Sequence, residues 1–109
     1  MPRTRGTANA RKRVVIGENI KRLKAAAKVV GARWYQGWRV DPWDEGLVMQ
    51  RNKAWIRQKI KQGYEIIDIG IDPTRNFRSR FYTMEKQVIK EANYPLVPFD
   101  RITAGTRRK

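Results

Sequence analysis

One segment of this 109-residue sequence combines arginines, a serine, a phenol and a carboxylate at short spacing. It runs from Asp68 to Glu85 and reads DIGIDPTRNFRSRFYTME. Arginines offer paired N–H donors to phosphate oxygens, and a serine at a helix start lies beside free backbone N–H groups and the positive end of the helix dipole. Glu85 lies three residues after Tyr82, so both share a helix face and can exchange protons with a substrate. We predict a catalytic site for phosphate chemistry made of Arg78, Ser79, Tyr82 and Glu85.

The same residues also have simpler explanations, which stay open at this point. Ser79 can serve only as a helix N-cap, and Glu85 can pair with a neighbouring cation such as Lys86. Further contacts with nucleic-acid phosphates are expected from a set of four residues. The set is Arg75, Arg80, Arg33 and Asn52.

Other carboxylates near this segment form a secondary set of candidates. Asp68 and Asp72 project to the same side of a predicted strand, and with Glu85 they can form a cluster for Mg²⁺. Glu18 follows the first predicted strand and is either a further site carboxylate or, as we favour, an acid that satisfies a helix dipole. We expect a site without metal or cofactor, with Mg²⁺ as the alternative.

The composition excludes several kinds of chemistry. The sequence contains no cysteine and no histidine, which removes disulfides, thiolate nucleophiles, the usual zinc sites and imidazole catalysis. Its 25 Lys and Arg against 10 Asp and Glu give a formal net charge of +15, and a polyanion would relieve this self-repulsion. We expect nucleic acid or an acidic protein as partner, rather than a membrane surface. An apolar run of about 18 residues does not occur, so we expect no spanning helix. The N-terminal segment MPRTRG is followed by no apolar stretch, so we expect no signal peptide.

Hydrophobic periodicity predicts the elements that position these residues. The predicted strands are 14–16, 32–40 and 64–72, and the predicted helices are 18–30, 47–62 and 80–92. Their alternation predicts a small single α/β domain, with a three-stranded, mostly parallel sheet covered by helices. The alternative is α+β with an antiparallel sheet, because 32–40 is amphipathic. Residues 14–100 form the predicted domain, 1–13 a basic flexible arm and 101–109 a basic tail.

Several short motifs occur between residues 14 and 94. They are Val15-Ile16-Gly17-Glu18, Gly31-Ala32, Asn52, Trp55-Ile56, Gly63, Asp68-Ile69-Gly70, Arg75, Arg78-Ser79, Phe81-Tyr82 and Glu85. In this combination the segment resembles the C-terminal toxin domains of polymorphic bacterial toxins, of the Rhs and contact-dependent-inhibition kind.

The resemblance implies a domain that is secreted as part of a larger protein and delivered to the cytoplasm of a competing cell. It also implies a cognate immunity protein, which the charge of this chain suggests is acidic. We expect the free domain to be monomeric.

Three functions fit these expectations. The first is a toxin nuclease, with RNA a better substrate than DNA because the 2′-hydroxyl is an internal nucleophile and neither metal nor histidine is needed. In it, Glu85 or Tyr82 would act as base and Arg75 and Arg78 would stabilise charge. The second is a toxin that consumes NAD or transfers ADP-ribose, through Arg78, Ser79 and Glu85. The third is a non-catalytic nucleic-acid-binding protein.

Overall fold

The computed structural model of this chain describes residues 12–36 and 44–102. The strands are β1 (Arg13–Ile16), β2 (Glu65–Asp68) and β3 (Val97–Pro98). The helices are α1 (Ile20–Val30), α2 (Glu45–Lys61) and α3 (Arg80–Glu91), and a helical turn at 99–102 follows β3. The predicted arms at 1–13 and 101–109 therefore lie mostly outside the described residues.

The three strands form one parallel sheet in the order β1-β2-β3. Val14 is opposite Ile66 and Ile16 is opposite Asp68, so the carboxyl ends of β1 and β2 are level. The predicted α/β class with a three-stranded parallel sheet is confirmed.

The third strand of the described sheet is β3, and not residues 32–36, the described part of the predicted strand 32–40. Only Arg33 forms a bridge, to Val14 on the outer edge of β1, and residues 37–40 lie outside the described part of the chain. Beyond the bridge, Tyr35 is buried and packs edge-on against Trp55 of α2, with ring centroids 5.5 Å apart. Tyr35 thus contacts α2, and β3 supplies the third strand of the described sheet.

Both faces of the sheet are buried, as the uninterrupted apolar residues of β1 and β2 require. On one face, α2 and α3 cover Val14, Ile16 and Ile66, which are at most 1% exposed. On the other face, α1 covers Val15 and Ile67. Each fully buried aliphatic side chain of this size contributes about 1.5–3 kcal/mol.

Each of the three helices begins directly after a residue whose side chain caps it. The first and last residues of these helices lie within two residues of the predicted ones. Asn19 accepts a hydrogen bond from Lys21 N at 3.0 Å and starts α1, and Gly31 ends it with φ of 67°, a left-handed conformation that glycine adopts without steric cost. Asp44 caps α2 through Leu47 N. Ser79 caps α3 by accepting from Tyr82 N at 3.2 Å.

Candidate functional site

The carboxyl ends of β1 and β2 lead into two loops that run side by side. Ile69 N donates to Ile16 O at 2.9 Å, and Glu18 N donates to Gly70 O at 3.2 Å. Gly70 has φ of 81°, and its N–H donates to Asp68 Oδ1 at 2.8 Å, so the chain turns out of the sheet here rather than at residue 72 as predicted. The candidate residues therefore lie at the edge where parallel sheets commonly carry their sites.

Glu18 is completely buried under the loop at 72–79. Its Oε1 accepts from Asp72 N and its Oε2 from Ser79 N, both at 2.8 Å. The bond from Ser79 lowers the pKa of Glu18 most, and it outweighs the opposing effect of burial. The Arg78 guanidinium lies 3.5 Å from Oε1 and adds to the stabilisation of the charge. Glu18 thus binds the backbone at the start of α3, not at the start of α1, and holds the arginine-rich loop in place.

Asp72 ties the same loop to α1. It accepts from Asn19 Nδ2 at 2.8 Å and from Thr74 N and Oγ1 at 3.0 and 2.7 Å. The Asn19 bond is the largest of several effects that hold the pKa of Asp72 far below its usual range. Arg75 Nε lies 3.7 Å from the same carboxylate. Asp72 is therefore an ionised anchor within the described structure.

Arg22 is a positioning residue that the sequence analysis missed. Its guanidinium donates to three backbone oxygens, those of Glu18, Ile69 and Gly70, at 3.1 to 3.4 Å. These bonds join the two loops across the sheet edge. The available signal was its spacing, since Arg22 lies one helical turn after Glu18.

Glu85 is a buried carboxyl group, 5% exposed, on the core side of α3. Asn52 of α2 donates to its Oε2 through Nδ2 at 2.9 Å. Burial raises the pKa of Glu85 to about 8, the Asn52 bond opposes this rise, and the charge of Asp68 adds to it. Asn52 is itself fully buried, and its Oδ1 has no hydrogen-bond donor among the described residues. The predicted surface contact of Asn52 with nucleic acid is therefore replaced by a contact within the protein.

Glu85 reaches a cavity of about 260 Å³ between the starts of α1 and α3, which we call the α1–α3 cavity. Three predicted site residues, Arg75, Ser79 and Glu85, line it together. The other lining residues are Gly17, Asn19, Ile20, Leu23 and Phe81. The α1–α3 cavity is thus lined by a cation, a hydroxyl, a helix start and a carboxyl group of raised pKa.

Arg78 and Tyr82 lie on a different side of α3, in a groove of about 650 Å³. Tyr82 donates its hydroxyl to Asp68 Oδ1 at 2.7 Å, and burial followed by this bond raises the pKa of Tyr82 well above its usual range. Tyr82 therefore keeps its proton and is unsuited to act as a base. Arg78 donates to the backbone oxygens of Phe77 and Arg75. The four predicted catalytic residues are divided between the cavity and the groove.

Two further residues that were predicted to contact phosphate line neither the α1–α3 cavity nor the groove. They are Arg80 and Arg33. Arg80 Nη1 lies 3.3 Å from Glu45 Oε1 of α2, and both side chains are well exposed. Arg33 lies at the outer edge of β1, beside Val14.

The carboxylates of the alternative Mg²⁺ site have separate partners. Asp68 accepts from Tyr82 and Gly70, Asp72 from Asn19 and Thr74, and Glu85 from Asn52. Within residues 12–36 and 44–102, no three acidic side chains lie close enough together to hold a metal ion. The same ranges contain no helix with the length and apolar character needed to cross a bilayer.

Comparison with protein-family models, curated proteins and solved structures finds no match to this chain.

Proposed function

We propose that this chain is an interbacterial toxin domain that cleaves RNA, with Glu85 as its proton donor. The observation that carries the proposal is the position of Glu85, a buried carboxyl group with pKa raised to about 8 that lines a cavity together with Arg75. A group that titrates near the working pH is the kind that serves as a general acid or base.

The raised pKa favours an acid role for Glu85 at neutral pH over the base role expected from the sequence. In the proposed reaction, the 2′-oxygen of RNA attacks the neighbouring phosphorus and the bond from phosphorus to the 5′-oxygen breaks. The proton of the 2′-hydroxyl passes to solvent, and Glu85 donates its proton to the departing 5′-oxygen. The products are a 2′,3′-cyclic phosphate and a free 5′-hydroxyl.

Arg75 is suited to stabilise the charge that develops on the phosphoryl oxygens. Its guanidinium is oriented from two sides, by Asp72 at 3.7 Å and by the Phe77 ring, whose centroid is 4.9 Å away. Preorganised charge of this kind often makes the largest single contribution to catalysis.

The proposal also includes where the domain acts and what inhibits it. The domain would be secreted within a larger protein and act in the cytoplasm of a target cell, and an acidic immunity protein would protect the producer. A formal net charge of +15 supports both an RNA substrate and an acidic inhibitor, because each would be drawn by the same field.

The test is cleavage of an end-labelled single-stranded RNA by the purified chain, with DNA and NAD as parallel substrates. We expect RNA cleavage, and a loss of at least about 100-fold in rate for Glu85→Gln. The matched control is Glu91→Gln, which removes an exposed carboxylate on the same helix. Consumption of NAD without RNA cleavage, or a fully active Glu85→Gln variant, would contradict the proposal.

A further inference from the structure

The groove on the outer side of α3 has a lining that the proposed reaction does not use. Arg78, Lys86 and Lys90 place three cations along it, and all three side chains are exposed. Its lining includes no carboxylate among the described residues. Arg78 also lies 3.5 Å from Oε1 of the buried Glu18, and Glu91, on the same helix as the two lysines, accepts from Gln87 at 3.0 Å. A concave surface with charge of one sign concentrates ligands of the opposite sign.

The rest of the groove is apolar and aromatic. Ile71, which is 49% exposed, and Tyr94 both line it. Lys86 Nζ is 5.4 Å from the centroid of the Tyr82 ring. Cations beside aromatic and apolar side chains are the combination that single-stranded nucleic acids bind, since phosphates contact the cations and unpaired bases contact the rings.

The two lysines of the groove are regularly spaced on α3. Lys86 and Lys90 are one turn apart, which separates their Cβ atoms by about 5–6 Å. A repeat of this kind matches successive phosphates of an extended strand better than it matches the irregular carboxylates of an acidic protein surface. The volume of about 650 Å³ is within the range of ligand pockets, about 300–1,000 Å³.

The groove and the α1–α3 cavity meet at the start of α3. Arg78 lines the groove, and the next residue, Ser79, lines the cavity. A strand lying along the groove would therefore pass directly by the cavity that holds Glu85.

We infer that the groove of Arg78, Lys86 and Lys90 is a binding subsite for single-stranded nucleic acid, which holds the substrate strand next to the cavity. The inference rests on the proposed function, and it narrows the substrate class to unpaired strands. A duplex is disfavoured because its bases are stacked and cannot reach Tyr94 or Ile71.

The test compares two double variants that change net charge equally. Lys86→Gln with Lys90→Gln alters the groove, and Lys24→Gln with Lys28→Gln alters exposed lysines at the same spacing on α1, across the sheet. Each pair includes one lysine of a last helical turn, so effects on helix dipoles are matched. Lys90→Gln alone serves as a milder variant, and melting curves verify that each protein is folded.

The probe is a short 2′-O-methyl oligouridylate, either single-stranded or paired with 2′-O-methyl oligoadenylate. We expect the groove pair to reduce the salt dependence of single-strand binding by about 1.4 in log–log slope, since each phosphate contact contributes about 0.7. Lys90→Gln alone should remove about half of that, and the α1 pair should change it little.

Three outcomes would overturn the inference. They are equal losses for the two double variants, duplex binding as tight as single-strand binding, and displacement of the probe by an oligoglutamate peptide whose own binding depends equally on the groove lysines. The last result would assign the groove to acidic proteins. Since the probe has no free 2′-hydroxyl and cannot be cleaved, these outcomes leave the cleavage test of Glu85 unaffected, and the two proposals fail separately.

Discussion

Asn52 of α2 donates a hydrogen bond to Glu85 of α3 at 2.9 Å, and both side chains are almost entirely removed from solvent. This buried pair joins the two helices on one face of the sheet, and its carboxyl group lines the α1–α3 cavity. Because the carboxyl group of Glu85 is desolvated, its protonated form is favoured, and its pKa lies at about 8.

Glu85 should make the stability of the protein depend on pH in a direction unusual for a carboxyl group. Its pKa is higher in the folded than in the unfolded chain, so its contribution is fully present below the ordinary value near 4.5 and is lost as pH rises to about 8. Glu85→Gln should therefore gain stability relative to wild type over this window, by an amount on the order of a few kcal/mol, because one pKa unit corresponds to about 1.4 kcal/mol.

Urea unfolding at a series of pH values measures this difference. Glu91→Gln, at an exposed position of α3, should follow the wild type. Asn52→Leu removes the bond that opposes the rise, so the pKa of Glu85 should increase further. Parallel stability profiles of wild type and Glu85→Gln would contradict the prediction.

Glu18→Gln should loosen the arginine-rich loop. The neutral amide can accept from only one of the two N–H groups that Glu18 now binds, those of Asp72 and Ser79, and its own N–H₂ would face the other donor. We expect a large fall in melting temperature and faster amide hydrogen exchange at residues 72–79. Glu65→Gln, which weakens a partly exposed pair with Arg13, should have a much smaller effect. Equal effects of the two substitutions would argue against Glu18 as the anchor of the loop.

Gly17→Ala should destabilise the fold more than Gly31→Ala. A Cβ at Gly17 would clash with Ile69 Cγ1 and lie 3.2 Å from Gly70 O, whereas a Cβ at Gly31 would have open space around it. Overpacking of this kind costs about 1–3 kcal/mol, in addition to the strain of a positive φ that both positions share. Chemical denaturation of the two variants measures the difference, and a smaller loss for Gly17→Ala would contradict the close approach of Ile69 to the backbone of the first loop.

Arg75→Ala should lower the rate of RNA cleavage, because Arg75 lines the cavity with Glu85. We expect a loss of about 10²–10³-fold in kcat, typical of removing one preorganised group. Arg80→Ala is the matched control, since Arg80 lies five residues away and forms only a well-exposed ion pair with Glu45. Single-turnover kinetics on labelled RNA distinguish the two, and equal rates would remove Arg75 from the site.

A co-encoded inhibitor should be acidic and should cover the loop from Asp72 to Arg80. Blocking the entrance to the cavity and neutralising the arginines can be achieved by one surface. Association should slow steeply as salt concentration rises, and stopped-flow measurements test this. Binding of an inhibitor that leaves amide exchange at residues 72–80 unchanged would place its interface elsewhere.

Several features of this protein were accessible from the sequence because they depend on neighbours along the chain. The apolar spacing of α1, α2 and α3 predicted each helix, and Gly31 and Ser79 marked a helix end and a helix start through local backbone chemistry. The apolar run Val14–Ile16 indicated a buried strand, and the alternation of Ile67, Ile69 and Ile71 with polar residues and glycine indicated a second strand. The α/β class predicted from the alternation of elements is confirmed, although the observed order places α1 and α2 in succession and β3 as the third strand.

Other features depended on contacts between distant residues. β3 has two residues, too few to show a period, and it becomes a strand only by pairing with Ile67 and Asp68. The segment after Arg33 has the alternation of a strand, but Tyr35 packs on α2 instead. Local pattern could not decide between these alternatives, because a strand exists only where a partner is available.

The site shows the same division. The sequence alone proposed Ser79 and Glu85 as candidates, since a cap and a carboxylate follow the strand at short, regular spacing. Tertiary structure decided that Glu85 faces Asn52, 33 residues away, and that Glu18 binds Ser79 across 61 residues. It also placed Arg78 in the groove, while the next residue, Ser79, lines the cavity. Burial and desolvation arise from packing of the whole chain, so the pKa of Glu85, and with it the proposed chemistry, could be known only from the folded protein.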